Sequence, residues 1–192
     1  MRIFAAVDVS PAAQEGVTAL IIRLKRHGAY GRASVRWVGP GNLHLTLQFL
    51  GHVASEGGLA RAEQALDGPY RSRAFQVGLG GGGVLPSHGA PRVVWLGARR
   101  GAGKLLGLHD EISARLENGG VLFDALPFHP HLTIGRIRRA TRGDAERILA
   151  SVEDIGVVGP SWVVDRIVLY ESRLSSIGSA CSVVATNTLA PR

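Results

Sequence analysis

The chain has 192 residues, of which 45% are hydrophobic and 19% charged, and a formal net charge of +7. That length suits one domain, or two small lobes sharing a core, with enough apolar material for a packed interior. No apolar run reaches the ~18 residues that a membrane span needs, and Cys181, the single cysteine, excludes an internal disulfide or a cysteine-rich metal site. The apolar stretch after Arg2 is short and ends at Asp8, so it reads as a buried first strand rather than a signal peptide. A reducing, cytoplasmic setting is expected. Of the 22 basic residues, 20 are arginine. Arginine's planar donors match phosphate oxygens, which fits a polyanionic partner, although a coding bias toward arginine gives the same composition.

In chain order, a strand is expected at Ile3–Val7. Ser10 then caps a helix with Pro11 at its first position. Val17, Leu20, Ile21 and Leu24 line its inner face, and Gly28 closes it. Strands follow at Val35–Val38 and His44–Leu50, then a helix at Glu56–Leu66 with Leu59, Ala62 and Leu66 inward. Further strands are expected at Phe75–Leu79 and Val93–Gly97. A helix over Lys104–Leu116 points Leu105, Leu108, Ile112 and Leu116 inward. A strand at His131–Arg136, a short helix capped by Thr141 and a strand at Arg166–Tyr170 complete the chain. Helices do not alternate regularly with strands, so the expected class is α+β rather than a doubly wound parallel sheet.

One internal repeat stands out. His44-Leu45-Thr46-Leu47 recurs as His131-Leu132-Thr133-Ile134, 87 residues later. This predicts two pseudo-symmetric lobes within a single domain spanning 1–192, each lobe giving one motif. By strand alternation, His44, Thr46 and Gln48 share a polar face, with Leu43, Leu45, Leu47 and Phe49 behind it. His129, His131 and Thr133 do the same in the second motif, and each His and Thr stand about 7 Å apart along one face. That spacing brackets a phosphate. Hydrolysis of a cyclic phosphodiester needs a base to activate water and an acid to protonate the leaving oxygen. Two histidines meet both needs near neutral pH, and threonine hydroxyls donate to the non-bridging oxygens. A single His-x-Thr arises easily by chance, and a lone strand histidine is more often structural. Two copies on the polar faces of alternating strands are far more specific.

These motifs resemble those of the 2H phosphoesterase superfamily, and of its RNA 2′,3′-cyclic phosphodiesterase branch, also called the 2′-5′ RNA ligase family. The likeness spans nearly the whole chain. It takes in residues 2–6, 36–51, 91–97 and 128–136, and Leu169-Tyr170-Glu171-Ser172. It implies a bilobal α+β fold with antiparallel sheets around a central cleft. The implied reaction turns 2′,3′-cyclic phosphate RNA ends, or small cyclic nucleotides, into 2′-phosphomonoesters. His44 would be the proton donor and His131 the acceptor, Thr46 and Thr133 would hold the phosphate, and Arg136 would help to bind it. The chain departs from the family at Gly80–Pro86 and at Cys181, where the family often has an aromatic residue and a tyrosine, which bears on base preference. Reversible 2′-5′ ligation in the same site and a non-catalytic RNA-binding module are the alternatives.

Simple alternation points Arg136 to the core side, where an unpaired charge is disfavoured, so either the strand ends near Gly135 or the arginine pairs locally. Arg36 and Arg92 are further phosphate candidates, and Phe4 is a candidate for base stacking. Neither a metal nor another cofactor is expected. His129-Pro130-His131 has a His-x-His form, but the other histidines lack ligand spacing. Gly101-Ala102-Gly103-Lys104 lacks the first glycine and the Ser/Thr of a P-loop. His27 and His109 read as surface residues, and the protein is expected to act as a monomer.

Overall fold

The computed structural model describes residues 2–26, 34–52, 56–87, 89–139, 142–154, 158–175 and 178–192. Gly28, Thr141, His27 and His88 lie outside them. Among the described residues, two antiparallel sheets and four α-helices form an α+β fold. One sheet takes its strands from the two ends of the chain: β1 (Arg2–Asp8), β3 (His44–His52), β8 (Arg166–Ser175) and β9 (Gly178–Thr188), in the order β3-β1-β8-β9. The other is built mainly from the middle: β2 (Ser34–Trp37), β4 (Phe75–Leu85), β5 (Val93–Arg100), β6 (His131–Arg139) and β7 (Val158–Val164), in the order β2-β6-β5-β4-β7.

The helices are α1 (Pro11–Arg26), α2 (Glu56–Leu66), α3 (Ala102–Asn118) and α4 (Arg142–Asp154). The Ser10 hydroxyl accepts from the Ala13 N–H, so α1 is capped as expected. Val17, Leu20, Ile21 and Leu24 are buried in α1, and Leu105, Leu108, Ile112 and Leu116 in α3. Gly101 starts α3 at φ 78°. A Cβ there would stand 2.5 Å from the Gln76 carbonyl oxygen, so this position needs glycine. Among the described residues, no helix is long and apolar enough to cross a membrane.

The strand expectations need three corrections. Strand β4 continues through the glycine run at 80–83 instead of ending at Leu79. The glycines allow close packing there: a Cβ on Gly82 would lie 2.5 Å from Val152 of α4, and one on Gly83 would lie 2.8 Å from the Trp95 ring. Strand β7, which holds Pro160, lies at a sheet edge, where a missing N–H is tolerated. Strand β9 is rich in Ser, Thr, Ala and Asn and gives little apolar alternation, yet it pairs with β8 from Arg166↔Thr188 to Ser175↔Gly178.

Candidate active site

The two motif strands belong to different sheets, yet β3 and β6 touch each other. Each begins with its histidine. Leu45, Leu47, Leu132 and Ile134 are all buried in the core, so the histidines and threonines between them face the other way. The charge of Arg136 on β6 also bears on His44 of β3, which puts the two strands' polar faces within electrostatic reach.

Both strands then break their alternation at the same place. In β3, Ala6 pairs with Thr46 and Ala5 with Gln48, leaving Leu47 as an extra residue. In β6, Trp95 pairs with Thr133 and Val94 with Gly135, leaving Ile134 as an extra residue. Each is a β-bulge immediately after the motif threonine, and one extra residue exchanges the faces of everything beyond it.

The expected face of Gln48 is therefore overturned. Gln48 turns inward and is 3% exposed, whereas Phe49 comes out beside the first motif at 50% exposed. Buried Gln48 is well partnered. Its Nε2 donates to the Asp124 carbonyl at 2.7 Å, and its Oε1 accepts from the Ser113 hydroxyl at 3.0 Å. The second bulge resolves the position of Arg136. Gly135 and Ile137 take the inward places, and Arg136 emerges exposed on the face of His131 and Thr133. Strand β6 neither ends at Gly135 nor buries the arginine. The residue five places after each histidine, Phe49 or Arg136, thus joins the motif face.

The other candidates fall into place around this row. Arg36 is the cross-strand partner of Arg136 and shares its face. Arg92 is exposed one residue before β5, out of phase with Val93 and Trp95, which pair with Arg136 and Thr133. The structure does not bring it into the row. Phe4 lies on the motif face with its ring 4.8 Å from His44, but it is 4% exposed and packed on Tyr170 at 5.4 Å. It forms the wall behind His44 and leaves no open ring for a base. The exposed ring is that of Phe49, 5.9 Å from Phe4.

Each histidine has a distinct setting. The Nδ1 of His131 lies 2.7 Å from the carbonyl oxygen of His129. A carbonyl only accepts, so Nδ1 carries the hydrogen and Nε2 is the free nitrogen. Trp95 meets the His131 ring edge-on at 6.2 Å. His44 is enclosed by Phe4 and by Tyr170, whose ring is 5.8 Å away. Burial lowers His44 from its ordinary 6.5 to about 4, Asp8 opposes the fall, and Arg136 adds to it.

His109 is not a surface residue. Its Nδ1–H donates to the Leu47 carbonyl at the first bulge, at 2.8 Å, and its ring stacks on Phe128 at 4.5 Å. It joins α3 to both the first motif strand and the segment leading to the second. Among the described residues, no three His, Cys, Asp or Glu side chains gather as a metal-ion set. A concavity of about 900 Å³ between residues 69–75 and α3 contains none of the motif residues. There Arg115 is bound to Glu111 and to the carbonyls of Asp67 and Pro69, a structural arrangement.

The family described as LigT like Phosphoesterase matches this chain over residues 7–95 and 96–180, one motif in each segment. A protein of Archaeoglobus fulgidus named RNA 2′,3′-cyclic phosphodiesterase is 38% identical over 139 residues, covering 72% of this chain and 74% of that protein. One of the same name from Thermotoga maritima is 30% identical over 184 residues, covering 96% and 93%. The crystal structure of Escherichia coli LigT complexed with 3′-AMP superposes with a TM-score of 0.68 at 26% identity, covering 98% of this chain and 97% of that one.

Proposed function

The chain belongs to the family of LigT-like phosphoesterases, and from that premise we propose that it hydrolyses RNA ends or small nucleotides bearing a 2′,3′-cyclic phosphate to 2′-phosphomonoesters. The observation that carries this reading is the pair of His-x-Thr motifs on touching strands of two sheets, each followed by a bulge that adds one more side chain to the same face. The names of the relatives agree with it.

In this reading the hydroxyls of Thr46 and Thr133 and the guanidinium of Arg136 bind the non-bridging phosphate oxygens. Charge building on those oxygens in the transition state strengthens these contacts. Nε2 of His131 accepts a proton from water, the water oxygen attacks phosphorus, and the bond from phosphorus to the 3′ oxygen breaks. His44 gives its proton to that oxygen. The donor and acceptor roles follow the resemblance, and the fixed Nδ1–H of His131 supports its part as acceptor. No step needs a metal or a cofactor.

His44 in the free protein is neutral at pH 7, because its pKa lies near 4. A bound phosphodiester anion opposes this lowering in two ways. It adds a negative charge beside the imidazole, and it neutralises Arg136, which had pushed the proton off. The donor thus takes up its proton as substrate arrives. Phe49 supplies an exposed ring for a base, and Arg36 extends the cationic row along the RNA backbone.

The test is turnover of a 2′,3′-cyclic nucleotide with and without excess chelator. Equal rates are expected. Activity abolished by chelator and restored by a divalent ion would sink the metal-free mechanism.

A further inference from the structure

Strand β1 ends at Asp8, and Asp8 is the direct cross-strand partner of His44. Residues so paired share a face, with Cβ atoms about 4.5–5.5 Å apart. The Asp8 carboxylate is held in place. The Tyr170 phenol of β8 donates to its Oδ1 at 2.5 Å, and the Trp162 indole N–H of β7 donates to its backbone carbonyl at 2.8 Å. Tyr170 in turn stacks on Phe4, and both rings lie against His44. Asp8, Tyr170 and Trp162 therefore form a fixed carboxylate mount behind the imidazole, assembled from the first strand of the chain and two consecutive strands, β7 and β8, near its other end.

We propose that Asp8 is a positioning residue that acts through His44, serving as the built-in counter-charge that lets the imidazole hold its proton inside an aromatic enclosure. The inference rests on the reading of His44 as proton donor. An aromatic box alone strongly favours a neutral ring. The charged groups bearing on His44 are Asp8 from β1, which holds the proton on, and Arg136 from β6, which drives it off. Tyr170 from β8 is uncharged: burial, then the hydrogen bond to Asp8, push its phenol far above the ordinary range. Cys181 of β9 and Arg166 of β8 bear on Tyr170 rather than on the imidazole. Substrate phosphate neutralises Arg136, whereas Asp8 acts in both the free and the bound states.

The experiment is the pH profile of kcat for Asp8→Asn on a 2′,3′-cyclic nucleotide. The profile of kcat reports groups in the enzyme–substrate complex. A donor must be protonated, so its titration forms the basic limb. Removing the carboxylate lowers the donor's pKa, so the basic limb should move to lower pH by about 1 to 3 units. At a pH above that limb kcat should fall at least about ten-fold, since one pH unit is a tenfold change in protonation. KM should change little, and Asp8→Glu, which keeps the charge, should recover most of the loss. Asp8→Ser removes the charge with less bulk, and it serves if the asparagine variant does not fold. An NMR titration of the His44 ring in either variant should give a lower midpoint. Both limbs unmoved, with kcat and the His44 midpoint unchanged, would overturn the proposal. A shift of the acid limb instead would keep the link between Asp8 and His44 and overturn the donor role of His44.

Discussion

His44→Ala and His131→Ala each lower kcat by about 10²–10⁴-fold, the usual contribution of one general acid or base. Binding of a product 2′-nucleotide stays within a few-fold, because the threonine hydroxyls and Arg136 remain. The double variant loses little beyond the worse single one, since groups that act in the same transition state are not additive. The measurement is single-turnover hydrolysis of a 2′,3′-cyclic nucleotide, paired with calorimetric titration of the product. A non-catalytic RNA-binding module would have no turnover to lose. If either alanine variant kept full activity, the paired-histidine reading would fall.

Leu132→Ala acts on the same motif from its other side. Leu132 sits between His131 and Thr133 and is fully buried, as are Ile134 and Leu96 around it. Truncating a buried leucine costs about 2–5 kcal/mol, because the lost contacts and the remaining cavity add together. In a chain of this size that lowers Tm by on the order of 10 °C. The same change at Leu122, which is largely exposed, leaves Tm nearly unchanged. Thermal melts of the two variants check the contrast. Equal melting temperatures would mean that strand β6 is not seated as described.

The leucine contrast also shows which parts of the fold were legible in the sequence. Helices α1, α2 and α3 follow the helical spacing of their leucines, since one face of each meets a core. The motif faces were legible as far as each threonine, because alternation holds that far. Beyond Leu47 and Ile134 it fails. A bulge depends on how a strand pairs with its neighbour, and the sequence of the strand itself carries little sign of it. The faces of Gln48, Phe49 and Arg136 all depart from simple alternation for this one reason. One sign of it is nevertheless present in the chain. A strand-borne arginine facing a core, five residues after a motif histidine, asks for a bulge, and the first motif carries the same offset.

Other parts needed tertiary contacts. His109 sits half-buried on α3, and its partners Leu47 and Phe128 come from opposite directions along the chain. Asp8 and Tyr170 are separated by most of the sequence and meet because β1 pairs with β8, while the pairing of β1 with β3 sets His44 beside Asp8. Neither residue was marked by composition or motif. Tyr170 lies within a segment of family likeness and Asp8 two residues past the end of another, so the resemblance reached the neighbourhood and the packing located the contact.

The most direct measurement of the central claim is the identity of the product. Phosphorus NMR of a 2′,3′-cyclic nucleotide incubated with the protein should show the cyclic resonance replaced by that of the 2′-phosphomonoester alone, because only the bond to the 3′ oxygen breaks when His44 protonates it. A 3′-phosphomonoester, or a cyclic resonance unchanged after prolonged incubation, would contradict the account.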